Sequence, residues 1–191
     1  MSTQTRKERD RAQRRQAIVD AARELSAADG WDAVTIRKLA ERIEYSQPVL
    51  YSHFAGKAAI VGAVAIEGCV ELTLALRRAH DVARTPREVI DNIARAYLDF
   101  ADADPARYDA MFVLTTDLTF GLDAPQPLRD AFAAMEAMFR GTAEGDELGA
   151  RTEDAWSALH GLVTLDRSGR LRPELRERRI ELLVDMWSSL S

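Results

Sequence analysis

Polar and cationic side chains recur between residues 35 and 57 where short helical stretches begin or end. Thr35 precedes one such stretch and Lys57 another, so both stand where free backbone N–H groups and the helix dipole favour an anion. Tyr51 and His53 carry side chains that can donate hydrogen bonds to phosphate oxygens. These residue types at this spacing favour contact with the phosphate groups of a nucleic acid.

The first 15 residues form a strongly basic segment, with six cationic and two acidic side chains and a net charge of +4. Its cationic residues are Arg6, Lys7, Arg9, Arg11, Arg14 and Arg15. Residues 1–57 carry a net charge of +3 against −5 for the whole chain of 191 residues, which leaves −8 for the remainder. We expect the segment to be a mobile arm that follows a DNA backbone or enters a minor groove; a solvated charge run without defined contacts is the alternative.

Residues suited to catalysis or metal binding form no motif in the sequence. It contains no nucleophile motif, no phosphate-binding glycine loop and no Cys/His cluster, so we expect no enzyme activity and no cofactor. His53, His80 and His160 lie far apart, so no metal site is expected. The single cysteine, Cys69, excludes an intramolecular disulfide and is expected to be a small buried hydrophobic residue.

The distribution of apolar residues predicts a cytoplasmic protein. The most apolar run, 58–66, is about half as long as a bilayer span requires. The polar, charged amino terminus does not have the pattern of a secretory signal. We therefore expect no membrane partner.

Helical periodicity dominates the chain and predicts an all-α fold of about nine helices. Apolar residues repeat at helical spacing over 18–25, before Asp29-Gly30, and again over 36–43. Ser46 is expected to cap the next short helix, whose first turn contains Pro48. The two short helices between about residues 35 and 54 have the dimensions of a helix-turn-helix, whose second helix enters the major groove of DNA.

Two segments carry a resemblance to a known family. They are TIRKLA, residues 35–40, and YSQPVLYSHFAGK, residues 45–57. Together they resemble the DNA-binding segment of the TetR family of transcriptional regulators, over roughly residues 14–66. The resemblance implies a DNA-binding domain over residues 1–56, with the basic arm, followed by a six-helix effector-binding and dimerisation domain over 57–191.

The resemblance also implies a role for individual residues in this DNA-binding domain. The expected phosphate contacts are Thr35, Tyr51, His53 and Lys57. The expected base-edge or groove contacts are Arg37, Ser46, Gln47, Pro48 and Val49. The residues expected to form the three-helix core are Leu39, Ala40, Leu50 and Phe54. A partly buried Tyr51 and a surface His53 without a DNA contact remain alternatives.

One position departs from the family's usual pattern. The turn between the paired helices often carries glycine in this family, whereas Glu44 stands there in this sequence. A residue other than glycine is strained at positive φ. Either the turn has a different geometry, or an acidic side chain lies close to the DNA.

The acidic remainder is expected to bind an effector and form a homodimer. WSALHG, residues 156–161, resembles the Trp, His-Gly signature of a C-terminal domain in one subgroup of these regulators. The resemblance implies that the last two helices pair with their copies in a second subunit as a four-helix bundle. The sequence fits this role, because a single chain has little left to cover the apolar face of the final helix. The expected interface residues are Trp156, Leu159, Val163, Ile180, Leu183, Val184 and Trp187. The expected pocket residues are Phe100, Tyr108, Met111, Phe112, Met135, Trp156 and His160, with ordinary core packing as the alternative for each.

These features predict a repressor that holds a pseudo-palindromic DNA operator as a dimer and is released by an unknown small molecule. An enzyme and a helical protein-interaction module remain the rival classes. The basic segment and the anion-favouring helix starts argue against the second rival.

Overall fold

The computed structural model describes residues 3–119 and 121–189. The first residues of the predicted DNA-binding domain and the last residues of the predicted effector-binding domain lie outside these ranges. The regular structure of the described residues is helical throughout, with nine α-helices joined by loops and 3-10 turns, which confirms the all-α prediction. The helices are α1 Thr3–Asp29, α2 Ile36–Arg42, α3 Gln47–His53, α4 Lys57–Asp81, α5 Pro86–Ala103, α6 Pro105–Phe112, α7 Gln126–Met135, α8 Gly145–Arg167 and α9 Arg176–Ser188.

The basic segment is part of the first helix. Helix α1 begins at Thr3 and runs without a break to Asp29, so the residues expected to form an arm are helical and continuous with the domain that follows. Residues 3–29 contain neither glycine nor proline and are rich in Arg and Ala, which have high helix propensity. Nothing in the local sequence therefore separates the cationic residues from the helix that follows.

Side-chain caps fix several helix starts. Thr35 Oγ1 accepts a hydrogen bond from Lys38 N at 3.2 Å and caps α2, and Asp104 Oδ1 caps α6 by accepting from Arg107 N at 3.0 Å. At α5, Thr85 Oγ1 accepts from Glu88 N at 3.2 Å, as the capping-box pattern predicts. Ser46 occupies the N-cap position of α3, but its side chain makes no capping hydrogen bond.

The chain folds into two compact units. The first comprises Met1–Gly68 and Asp104–Thr119, and the second comprises Cys69–Ala103 and Phe120–Ser191. Helix α6 thus belongs with the first unit, and the domain boundary after residue 56 stays a prediction.

Helix α6 is fixed within the first unit by two contacts. The indole Nε1 of Trp31 donates to the carbonyl of Ala106 at 2.6 Å. On α4, Gly68 approaches α6 so closely that a Cβ at this position would overlap Met111 and lie 3.0 Å from Arg107 Cγ. The core of this unit includes Ile18, Ala22, Val34, Leu39, Leu50, Phe54, Ile60 and Val64.

The second unit has its own core, in which α5 packs against α8 and α9. Ion pairs lie at the edge of this core. Arg95 Nε is 2.9 Å from Asp91 Oδ1, and Arg95 Nη1 is 2.7 Å from Glu177 Oε2. Five residues expected at a dimer interface are buried here within one chain: Leu159, Val163, Ile180, Val184 and Trp187. The inference that one chain cannot cover this apolar stripe was wrong, because α5 packs against α9.

Helix α4 is the most apolar long helix in the described residues. By length and composition alone it could cross a membrane, but 56% of its most apolar window is buried inside the protein. Core helices of water-soluble proteins share these properties, so the feature is weak evidence for a membrane span.

Candidate nucleic-acid interface

The turn between α2 and α3 has the hydrogen bonds of a Schellman motif. Tyr45 N donates to the carbonyl of Ala40 at 3.0 Å, and Glu44 N donates to that of Glu41 at 3.4 Å. Glu44 has φ 57° and is the only residue other than glycine with positive φ among those the structure describes. The turn therefore keeps the positive φ that glycine favours, so the alternative of a different turn geometry was wrong. The Glu44 side chain is exposed.

The first turn of α3 presents a polar edge to solvent. Ser46, Gln47 and Pro48 are exposed and Val49 is half-buried, whereas Leu50 is fully buried in the core. The Ser46 carbonyl accepts from Val49 N at 2.9 Å, and its hydroxyl forms no cap bond. This turn is therefore anchored from behind by Leu50 while its outer side chains remain exposed.

The expected phosphate-binding residues differ in their surroundings. Tyr51 is 55% exposed, so it is partly covered by the protein while more than half of its surface faces solvent. Thr35 is exposed, and because its oxygen accepts the cap bond, its O–H can donate outward. Lys57 is half-buried and donates from Nζ to the carbonyl of Trp31, a role the sequence did not reveal. An ammonium has three N–H groups, so this bond does not use them all.

Arg37 and His53 border the same helices. Arg37 is exposed, and its Nε lies 3.4 Å from Glu41 Oε1, one turn further along α2. His53 ends α3 and is half-buried. Burial, and then the nearby Arg11, Arg14 and Arg15 guanidinium groups, lower the pKa of His53 below its usual value.

Arg15 links the basic segment to the end of α3. Its Nη1 donates to the carbonyl of His53 at 3.1 Å, and its guanidinium lies 4.1 Å from the centre of the Phe54 ring. A cation is favourable at a helix C-terminus and over an aromatic face. The sequence indicated only that Arg15 is basic, because nothing in it places residue 15 beside residue 53.

The expected pocket residues are divided between the two units. Tyr108, Met111 and Phe112 belong to the first, and Phe100, Met135, Trp156 and His160 belong to the second. Within the first unit, the Tyr108 and Phe112 rings lie 4.8 Å apart.

In the second unit, Trp156 Nε1 donates to Tyr97 Oη at 3.0 Å, and burial lowers the pKa of His160. A cleft of about 220 Å³ in this unit has other lining residues: Phe139, Ala150, Arg151, Asp154 and Trp187.

Cys69 and the acidic side chains form no metal site in the described part of the chain, where no group of three or more potential ligands converges. Burial raises the pKa of the Cys69 thiol to about 12, so it stays protonated at neutral pH.

This arrangement of a capped α2, a tight turn and an α3 with an exposed first turn defines a helix-turn-helix protein. Residues 18–64 match the family model described as bacterial regulatory proteins, tetR family, and residues 90–187 match that of the tetracyclin repressor-like C-terminal domain. The chain belongs to the TetR family of transcriptional regulators. The family regulates transcription and is not a family of enzymes.

Individual relatives span much of the chain. The HTH-type transcriptional regulator Rv0681 of Mycobacterium tuberculosis is 30% identical over 159 residues, which cover 81% of this chain and 71% of that protein. The class D tetracycline repressor protein of Escherichia coli is 30% identical over 142 residues, covering 65% and 61%. A solved protein of unknown function from Rhodococcus sp. RHA1 has the same fold, with a TM-score of 0.71, 24% identity and coverage of 93% and 94%.

Proposed function

We propose that the protein is a repressor that binds a pseudo-palindromic DNA operator as a homodimer and releases it when a small molecule binds. The observation that supports DNA binding is the exposed first turn of α3. Ser46, Gln47 and Pro48 are exposed there, while the adjacent Leu50 is buried in the core and holds the helix in place. A recognition helix needs side chains that reach the edges of the DNA bases, and it must be held rigidly against the protein core.

Around this turn, the proposed phosphate contacts are Thr35, Tyr51, His53 and Lys57, and the proposed groove contacts are Arg37, Ser46, Gln47, Pro48 and Val49. Hydroxyl and nitrogen donors such as these position a protein on the DNA backbone without reading sequence. The side-chain amide of Gln47 can donate one hydrogen bond and accept another at the same time, as recognition of an adenine edge requires.

Selection from a random duplex library tests this assignment. We expect the retained duplexes to share two half-sites related by a twofold axis and about one helical turn apart, because two identical chains would each present an α3. Retention without a shared motif would contradict the repressor proposal.

The homodimer proposal rests on side chains that α8 and α9 leave exposed. Leu182 and Met186 lie one turn apart on α9 and are 51% and 47% exposed, and Leu165 near the end of α8 is 39% exposed. Of the residues first expected at the interface, Trp156 and Leu183 are half-buried and remain part of this proposal. A partner chain would remove this apolar surface from water.

The variant L182E/M186E is expected to be a folded monomer by light scattering, because it places charge at the proposed interface. The matched control is Leu74→Glu, which changes an exposed leucine of α4 that is 46% exposed. A dimeric L182E/M186E protein, or a monomeric wild type, would contradict this interface.

Ligand response is proposed from the family and from the aromatic and thioether side chains of α5, α6 and α7, which are Phe100, Tyr108, Met111, Phe112 and Met135, together with Trp156 and His160 of α8. The name of the class D tetracycline repressor describes a repressor, which supports the same mode of action here. The ligand must favour the DNA-free conformation, commonly by about 1 to 3 kcal/mol, and a turn of α4 is the proposed response.

Release of the selected duplex in the presence of candidate compounds, followed by fluorescence anisotropy, tests the response. We expect one class of compound to weaken binding by roughly 5- to 150-fold. Binding of a compound in the second unit with no change in DNA affinity would contradict induction by that compound. Because DNA is the proposed partner, we also infer a cytoplasmic location.

A further inference from the structure

The cationic side chains of the first half of α1 fall into two groups on opposite faces of the helix. At 3.6 residues per turn, Lys7, Arg11, Arg14 and Arg15 share the face that carries the buried residue Ile18 one or more turns later. Arg6 and Arg9 lie on the opposite face, and the acidic residues Glu8 and Asp10 lie between the two faces. We call the first group the basic face of α1.

The basic face is held beside the end of α3. Arg15 donates to the His53 carbonyl and stacks on Phe54, which anchors this part of the helix. Arg11 and Arg14 are close enough to affect the ionisation of His53. Arg15 therefore contacts the end of α3, and Arg11 and Arg14 lie within electrostatic range of His53, one of the residues proposed to contact phosphate.

Beyond this anchor, α1 continues as a helix towards its start. With a rise of about 1.5 Å per residue, Lys7 lies roughly 12 Å beyond Arg15 along the helix axis, a distance equal to three or four base-pair steps. The side chains of residues 6–16 are exposed. The family match begins only at residue 18, so these cations lie outside the matched DNA-binding segment.

We propose that the basic face of α1 is a second DNA-binding surface, which binds phosphates flanking the segment contacted by α3 and adds affinity without reading sequence. The inference rests on the proposed DNA-binding function. The partner is duplex DNA because a rigid row of cations beside a recognition helix matches a phosphate backbone. Fixing these side chains on a helix reduces the entropy that a flexible segment would lose on binding.

The test compares R11Q/R14Q with R6Q/R9Q, which removes the same charge from the same helix but from the opposite face. Each protein is titrated with a mixed-sequence duplex of about 30 base pairs at salt concentrations from about 50 to 200 mM. We expect R11Q/R14Q to lower the slope of log affinity against log salt by roughly two units per bound chain, and affinity near 100 mM salt by about 10-fold or more. R6Q/R9Q is expected to retain most of the wild-type slope, and R11K/R14K to restore it.

The outcomes separate this inference from the function on which it rests. If wild type binds the duplex and both glutamine variants change the slope equally, α1 contributes only diffuse charge and the basic face is refuted. If neither variant changes the slope, the surface makes no contact and the inference is again overturned. If wild type shows no salt-dependent affinity for duplex DNA, the proposed function itself fails. Equal thermal unfolding midpoints for all four proteins are expected, since the replaced side chains are exposed.

Discussion

At the residue scale, Glu44 combines backbone strain with an acidic charge in the helix-turn-helix. Its φ of 57° closes the Schellman motif that ends α2. A left-handed conformation costs a residue with a Cβ roughly 1 to 2 kcal/mol, and glycine avoids this cost. Glycine loses more entropy on folding, which offsets part of the gain.

The variant Glu44→Gly is therefore expected to raise the free energy of unfolding by about 0.5 to 1 kcal/mol, or the midpoint by roughly 2 to 4 °C. Glu44→Ala is the matched control, because it removes the same charge but keeps a Cβ at positive φ. Chemical denaturation measures both. Equal stabilisation by the two variants would assign the effect to charge instead of backbone strain.

His53 provides a pH-dependent test of the phosphate contact. In the free protein its pKa lies below 6.5, through burial first and then through the neighbouring arginines, so it is neutral at pH 7. A DNA phosphate would favour the protonated form and raise the pKa in the complex. Between the two pKa values the complex binds more protons than the free protein, so DNA affinity must rise as the pH falls.

We expect duplex affinity to increase by about 3- to 10-fold between pH 8 and pH 6 at constant salt, and His53→Gln to lose most of this dependence. Anisotropy titrations at several pH values measure it. A pH profile unchanged by the substitution would remove His53 from the phosphate contacts.

At the element scale, the packing of α4 with α6 depends on one glycine. A methyl group at Gly68 would overlap Met111 and lie 3.0 Å from Arg107 Cγ, whereas one at Gly62 on the same helix would make an ordinary contact with Leu118 at 3.7 Å. Two glycine-to-alanine changes in α4 thus gain the same helix propensity but meet different neighbours.

We expect Gly68→Ala to lower the free energy of unfolding by about 1 kcal/mol or more, because overpacking outweighs propensity. Gly62→Ala should raise it by up to about 1 kcal/mol. Denaturant titrations of both variants measure this difference. The proposed close packing of α6 would be contradicted by a Gly68→Ala protein as stable as the Gly62→Ala protein.

Local sequence signals predicted features in both units. The caps at Thr35 and Thr85 follow from residues a few positions apart, whereas the sequence left the geometry of the turn at Glu44 open. Distant contacts were not predictable in this way: the bond from Lys57 to the Trp31 carbonyl and that from Arg15 to the His53 carbonyl each join separate segments. Periodicity likewise identified the apolar stripe of α9 but not the helix of the same chain that covers it.

At the scale of the whole molecule, charge is separated along the sequence. Residues 1–57 carry +3 and the remainder −8, so attraction to a polyanion is confined to the first part of the chain. This segregation explains how an acidic protein with a pI near 5.3 can bind DNA. It also predicts strong dependence on salt, since phosphate contacts release counterions.

The most direct test of α3 as the recognition helix is the ratio of two affinities, one for the selected duplex and one for a scrambled duplex of equal length, measured at one salt concentration. If α3 reads base edges, the ratio for wild type should exceed about 10³. Gln47→Ala should lower this ratio while leaving affinity for the scrambled duplex nearly unchanged, because Gln47 is assigned to bases and not to phosphates. A wild-type ratio near one, or a Gln47→Ala protein that loses both affinities equally, would contradict the assignment of α3 as the recognition helix.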